Sequence, residues 1–63
     1  MTNQRWYPYE ALGNYFRLVD DALLAAPMRQ DGSMEMDGSE PNAVQVIDTA
    51  DAAHIARELR TKP

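Results

Sequence analysis

The sequence predicts an α+β fold in which a helix, a short antiparallel sheet of two or three strands and a second helix follow one another (α-β-β-β-α). Three observations predict it. Apolar residues at alternating three- and four-residue spacings run from Tyr9 to Ala26 and stop at Pro27. Two Asp-Gly pairs, Asp31-Gly32 and Asp37-Gly38, then punctuate short runs with a period of two. Finally a β-branched apolar run, Ala43-Val44-Gln45-Val46-Ile47, leads into an amphipathic segment carrying Ala52, Ile55, Ala56 and Leu59.

The first helix is expected over residues 8–26. Pro8 suits a first turn, where its missing N–H has no intrahelical partner anyway. Tyr9, Leu12, Phe16, Val19, Leu23 and Ala26 share one helix face. Tyr15, Ala22 and Leu24 widen it, while Glu10, Asn14, Arg17, Asp20 and Asp21 fall mainly to the other side. Gly13 weakens such a helix by about 1 kcal/mol relative to Ala, which suggests a close contact there.

After Pro27 the period changes to two. Asp31-Gly32 between Met28-Arg29-Gln30 and Ser33-Met34-Glu35-Met36 predicts a hairpin, since a type I′ turn needs positive φ at both central residues. Met34 and Met36 then share one strand face, and Ser33, Glu35 and Asp37 the other. Asp37-Gly38 starts a further turn through Asn42, and residues 43–47 form the best strand. A mobile loop over residues 28–42 is the competing expectation. Asp48 or Thr49 caps the second helix. Its acidic start (Asp48, Asp51) and basic end (Arg57, Arg60, Lys62) both suit the helix dipole. The expected core is Leu12, Phe16, Val19, Leu23, Met34, Met36, Val44, Val46, Ile55 and Leu59.

The 63 residues suffice for one small domain, spanning 1–63. Apolar types make up 44% of the chain, enough for a core. A domain this short buries only roughly 60% of the surface its unfolded chain exposes, so outside help is common. The chain has no cysteine and a single histidine, His54, which excludes disulfides, thiolate-zinc sites and an all-histidine metal site within one chain. Good packing, self-association or a partner remains as the stabiliser. No apolar run approaches the roughly 20 residues of a membrane span. The first residues lack the apolar segment of a signal peptide. The chain is therefore expected to be cytoplasmic and to start at its native Met1.

The formal net charge of −4 hides an asymmetry. Residues 1–30 are neutral overall, residues 52–63 carry +2, and residues 31–51 carry −6. That middle segment holds Asp31, Glu35, Asp37, Glu40, Asp48 and Asp51 with no basic residue. On a strand, Glu35 and Asp37 share a face about 7 Å apart. Turn and cap chemistry accounts for Asp31, Asp37, Asp48 and Asp51. It leaves Glu35, Glu40 and the absence of Lys or Arg between residues 30 and 56 unexplained. An ordinary solvated acidic surface and a surface for a basic partner are the two readings that remain. The same acidity opposes direct binding to nucleic acid.

All the aromatics, Trp6, Tyr7, Tyr9, Tyr15 and Phe16, lie within the first sixteen residues. Arg5-Trp6-Tyr7-Pro8-Tyr9 is rich in residue types that anchor interfaces. The plainer role for Trp6 and Tyr9 is to fold back and cap the core. Asp51, His54 and Glu58 could line one helix face as a metal site or an acid/base pair, but a solvated helix face is the commoner outcome. Residues 31–38 have the look of a calcium loop, yet Met36 stands where the loop needs glycine. No nucleophile elbow, phosphate loop or dinucleotide fingerprint is present, so neither catalysis nor a cofactor is expected.

In size, acidity, lack of cysteine and absence of catalytic motifs, the chain resembles the small phage-encoded inhibitors of bacterial defence, notably anti-CRISPR proteins that imitate nucleic acid. The resemblance is one of general character over the whole chain and carries no motif. It implies a host-cell cytoplasmic, DNA-mimicking inhibitor or regulator that occludes a basic, nucleic-acid-binding surface of a partner protein. Asp31, Glu35, Asp37 and Glu40 would occupy positions that normally hold phosphates, with Trp6 and Tyr7 as anchors. The alternative is a homodimeric structural or assembly protein that buries its aromatic end.

Overall fold

The structure, a computed structural model, describes residues 5–20, 22–46 and 50–62. Its centre is a pair of strands, β2 (Asn14–Val19) and β3 (Ala22–Pro27). They pair antiparallel from Asn14↔Pro27 to Val19↔Ala22. Two residues connect them, of which Asp20 takes φ 54. Aspartate tolerates this left-handed conformation better than most residues, because its short polar side chain bonds locally.

β1 (Tyr7–Tyr9) adds to the outer side of β2, and β6 (Val44–Val46) to the outer side of β3. The four-stranded sheet therefore runs β1-β2-β3-β6, with every pairing antiparallel. A 3-10 turn at Glu10–Leu12 joins β1 to β2 and ends at Gly13, whose φ of 69 suits glycine. A separate hairpin, β4 (Met36–Asp37) with β5 (Glu40–Pro41), precedes β6. The helix α1 (Ala50–Arg60) closes the order.

The pairing sorts the sheet into two faces. Tyr7, Phe16 and Ala25 are successive register partners, as are Leu18, Leu23 and Val46. Partners share a face, and α1 covers this one. Ile55 and Leu59 are buried against Phe16, Leu18, Leu23 and Ala25, with Tyr7, Tyr9, Val46, Ala52 and Ala56 around them. Each of the two helix side chains contributes roughly 1.5–3 kcal/mol by burial. The rings of Tyr9 and Phe16 meet edge to face at 5.2 Å between centroids. On the opposite face Ala26 is fully buried beside its partner Tyr15. The Tyr15 hydroxyl donates to the Gly32 carbonyl, tying the 29–33 loop to the sheet.

The first helix expected over residues 8–26 is therefore replaced by three strands and a short turn, and the α-β-β-β-α order fails with it. The 3-4 stripe from Tyr9 to Ala26 does not survive the pairing: Phe16 and Val19 fall on opposite faces of β2, as do Leu23 and Ala26 on β3, while Phe16, Leu18, Leu23 and Ala25 share the helix-covered face. β3 lies between two neighbours, and both its faces are largely shielded, so Ala22-Leu23-Leu24-Ala25-Ala26 is apolar throughout. Pro8 sits on an edge strand, where a missing N–H costs least.

The core shifts accordingly. Phe16, Leu23, Ile55 and Leu59 are buried as expected, whereas Leu12 (44% exposed), Met36 (41%) and Val44 (63%) are not core residues. Val19, Met34 and Val46 are half-buried. Leu18, Ala25 and Ala26 are buried in their place. The hairpin expected around Asp31-Gly32 reduces to a single bridge, Met28↔Met34, closing a tight loop. There the Arg29 amide donates to Ser33 at 2.7 Å and the Gly32 amide to Arg29 at 2.9 Å. The second Asp-Gly pair turns the chain within the β4–β5 hairpin, with Gly38 at φ 67. Of the expected 43–47 strand, Val44–Val46 appear as β6 and Ile47 lies outside the described residues; α1 carries the expected apolar face. Asp48 and Thr49, the expected cap, lie outside the described residues. Among the described residues no helix is long and apolar enough to cross a membrane.

Two truncations test this core. Phe16→Ala is expected to cost about 3–5 kcal/mol and Leu59→Ala about 2–5 kcal/mol, measured by thermal or urea unfolding. A loss below about 1 kcal/mol at both sites would mean that helix and sheet do not pack through these residues.

Candidate functional site

The β4–β5 hairpin gathers carboxylates. Asp37 and Glu40 are direct register partners on either side of the Gly38-Ser39 turn. The Asn42 amide donates to the Glu35 carbonyl at 2.9 Å, which carries the pairing one step beyond Met36↔Pro41. Alternation then places Glu35 on the same side as Asp37 and Glu40. Asp37 and Glu40 are exposed and Glu35 is half-buried. Among the described residues, none of the three is in a salt bridge. Directly opposed like charges on a strand pair are destabilising, so this corner is an unrelieved concentration of negative charge.

The hairpin is anchored where it enters. The Glu35 amide donates to the Pro27 carbonyl at 2.9 Å, and the Met28 amide to the Gly13 carbonyl at 2.9 Å. Met34 and Glu35 thus continue the ladder of β3 beyond the end of β6.

Asp31 does not join this group. It sits in the separate 29–33 loop, where its Oδ1 accepts from the Ser33 hydroxyl at 2.6 Å and from the Ser33 amide at 2.9 Å. The Ser33 hydroxyl, the Ser33 amide and the nearby Arg29 guanidinium hold its carboxyl below the ordinary aspartate range. Trp6 and Tyr7 are distant in the sheet. Tyr7 lies on β1, and Trp6 precedes it, at the edge opposite β6. Three strand spacings separate the two edges, about 14 Å. Trp6 is half-buried, and the Tyr7 ring packs on the core with Lys62 Nζ 5.2 Å from its centroid. Of the six expected contact residues, the structure brings together Glu35, Asp37 and Glu40.

A second polar cluster stitches α1 to β1. The Tyr9 hydroxyl donates to Glu58 Oε1 at 3.0 Å, and His54 Nε2 lies 3.8 Å from Glu58 Oε2. Burial, then the hydrogen bond and charge of Glu58, push the Tyr9 hydroxyl pKa up. Tyr9 and Glu58 are 49 residues apart, so no local pattern announces the pair. Among the described residues no three His, Asp or Glu side chains come together to hold a metal ion, whether around Asp51, His54 and Glu58 or within residues 31–38.

Fold and site together define a two-layer α+β protein, a four-stranded antiparallel sheet under one helix with an acidic hairpin at its corner. Compared with known proteins, the chain matches no family model, no curated protein and no solved structure.

The Asp31 carboxyl is expected to titrate below an ordinary aspartate in a carbon-detected NMR titration, and Ser33→Ala to move it back up. Because the folded-state pKa is depressed, this group favours the fold above the ordinary aspartate value and ceases to do so as pH falls through the folded value. An unchanged midpoint in Ser33→Ala would show that the turn does not hold the carboxylate.

Proposed function

We propose that the chain is a small, non-catalytic protein-binding protein whose β4–β5 hairpin docks onto a basic surface of a partner. The observation that carries this reading is the placement of Glu35, Asp37 and Glu40 on one side of the hairpin, none of them in a salt bridge among the described residues. A guanidinium or ammonium group set between Asp37 and Glu40 would relieve their repulsion and gain charge-assisted hydrogen bonds. The nearest basic residue in sequence, Arg29, lies in the 29–33 loop beside Asp31, and Arg57 and Arg60 lie in the last turn of α1.

Basic clefts that hold phosphates present Arg and Lys at close spacing. A rigid pair of carboxylates can occupy such positions, so the proposed action is occlusion of a nucleic-acid-binding surface in a cytoplasmic setting. This is the mode of the nucleic-acid-mimicking, anti-CRISPR-type inhibitors that the chain resembles in size and charge. Electrostatic attraction would act mainly on the association rate. Asp31, whose carboxylate is held ionised by Ser33, extends the negative field of this segment. Trp6 and Tyr7, at the far edge, are not required by the hairpin interface.

The double variant Glu35→Lys/Asp37→Lys tests the reading. Affinity capture with the parent as bait should retain a basic protein that is lost as salt rises, since exposed ion pairs are screened. The double variant, with an unchanged circular dichroism spectrum, should retain none of it. Equal retention by parent and variant would rule out docking through these carboxylates.

A further inference from the structure

The two edges of the four-stranded sheet differ. β1, at one edge, has Pro8 as its central residue, which offers no N–H for pairing. β6, at the other edge, is Val44-Gln45-Val46, paired to β3 through Val44↔Ala25, Gln45↔Leu24 and Val46↔Leu23. Among the described residues no strand lies on its outer side. Alternate residues of an antiparallel strand turn their N–H and C=O away from the neighbour they already have. β6 therefore presents ladder donors and acceptors outward. It is short, three residues, but it carries no proline, no lysine and no other charge to blunt the edge. Val44, on the helix-covered side, is 63% exposed, more than any other large apolar residue described.

We propose that β6 is a self-pairing edge, through which two copies of this chain join antiparallel across a two-fold axis at Gln45. The strand is a palindrome, Val-Gln-Val, so this register is self-complementary. Gln45 meets Gln45 of the second copy, and Val44 meets Val46 of the second copy. Val46 borders the core beneath α1, so the exposed Val44 side chain of each copy gains an apolar neighbour continuous with the other's core. From Asn42 to Val46 no residue is charged. Two chains of net charge −4 can thus meet along this line without like charges in the ladder. Pro8 denies the opposite edge the same pairing. Association closes at two copies instead of growing into a filament.

Sedimentation equilibrium over a concentration series tests this on the parent, on Gln45→Lys, on Gln45→Glu and on an equimolar mixture of the two variants. The two-fold axis places residue 45 opposite itself, so each variant alone sets like charges face to face. The parent is expected to dimerise, each single variant to associate about fivefold more weakly, and the mixture to regain at least the parental affinity. The parental dimer should hold or strengthen as salt rises, which separates it from hairpin docking, expected to weaken. A parent that stays monomeric at its highest soluble concentration would overturn the proposal. So would variants that associate like the parent, a mixture without recovery, or species larger than a dimer.

Discussion

Ile55 and Leu59 are the large apolar residues of α1, and both are sealed against Phe16, Leu18, Leu23 and Ala25. This contact constrains everything else. A sheet of short strands exposes an apolar face that a chain of 63 residues can cover only with what little remains, and here one helix of three turns does so. Tyr9 and Glu58 then fix the helix to the β1 side through a hydrogen bond. With the helix in place, β2 and β3 become a stiff platform from which β1, β6 and the acidic hairpin extend.

The helix is the element most legible in the sequence. Ile55, Ala56 and Leu59 fit one helical face, and flanking charges match the helix dipole. β6 is equally plain, being β-branched and alternating. The β2–β3 pair is not. Leucine and alanine favour helices intrinsically, and Ala22–Ala26 shows no alternation because a central strand is shielded on both faces. Tertiary pairing overrides that local preference. Some signals for strands were present: Tyr15, Phe16 and Val19 favour sheets, Gly13 interrupts any helix, and the adjacent aspartates 20 and 21 suit a tight turn.

The acidic site was partly legible. Alternation alone sets Glu35 beside Asp37. Glu40 joins them only because the turn at Gly38-Ser39 pairs it with Asp37, a matter of register. Asp31 looks equivalent in sequence but is engaged by Ser33 in another loop. Directly opposed like charges such as Asp37 and Glu40 are destabilising on a strand pair.

The packing of α1 onto a β2–β3 strand pair is the claim beneath both the acidic hairpin and the β6 edge. Nuclear Overhauser contacts from the Ile55 and Leu59 methyl groups probe it most directly. They should reach the Phe16 ring, together with cross-strand contacts in the Phe16↔Ala25 register. Sequential amide contacts running unbroken from residue 8 to residue 26, without those methyl-to-ring contacts, would contradict it.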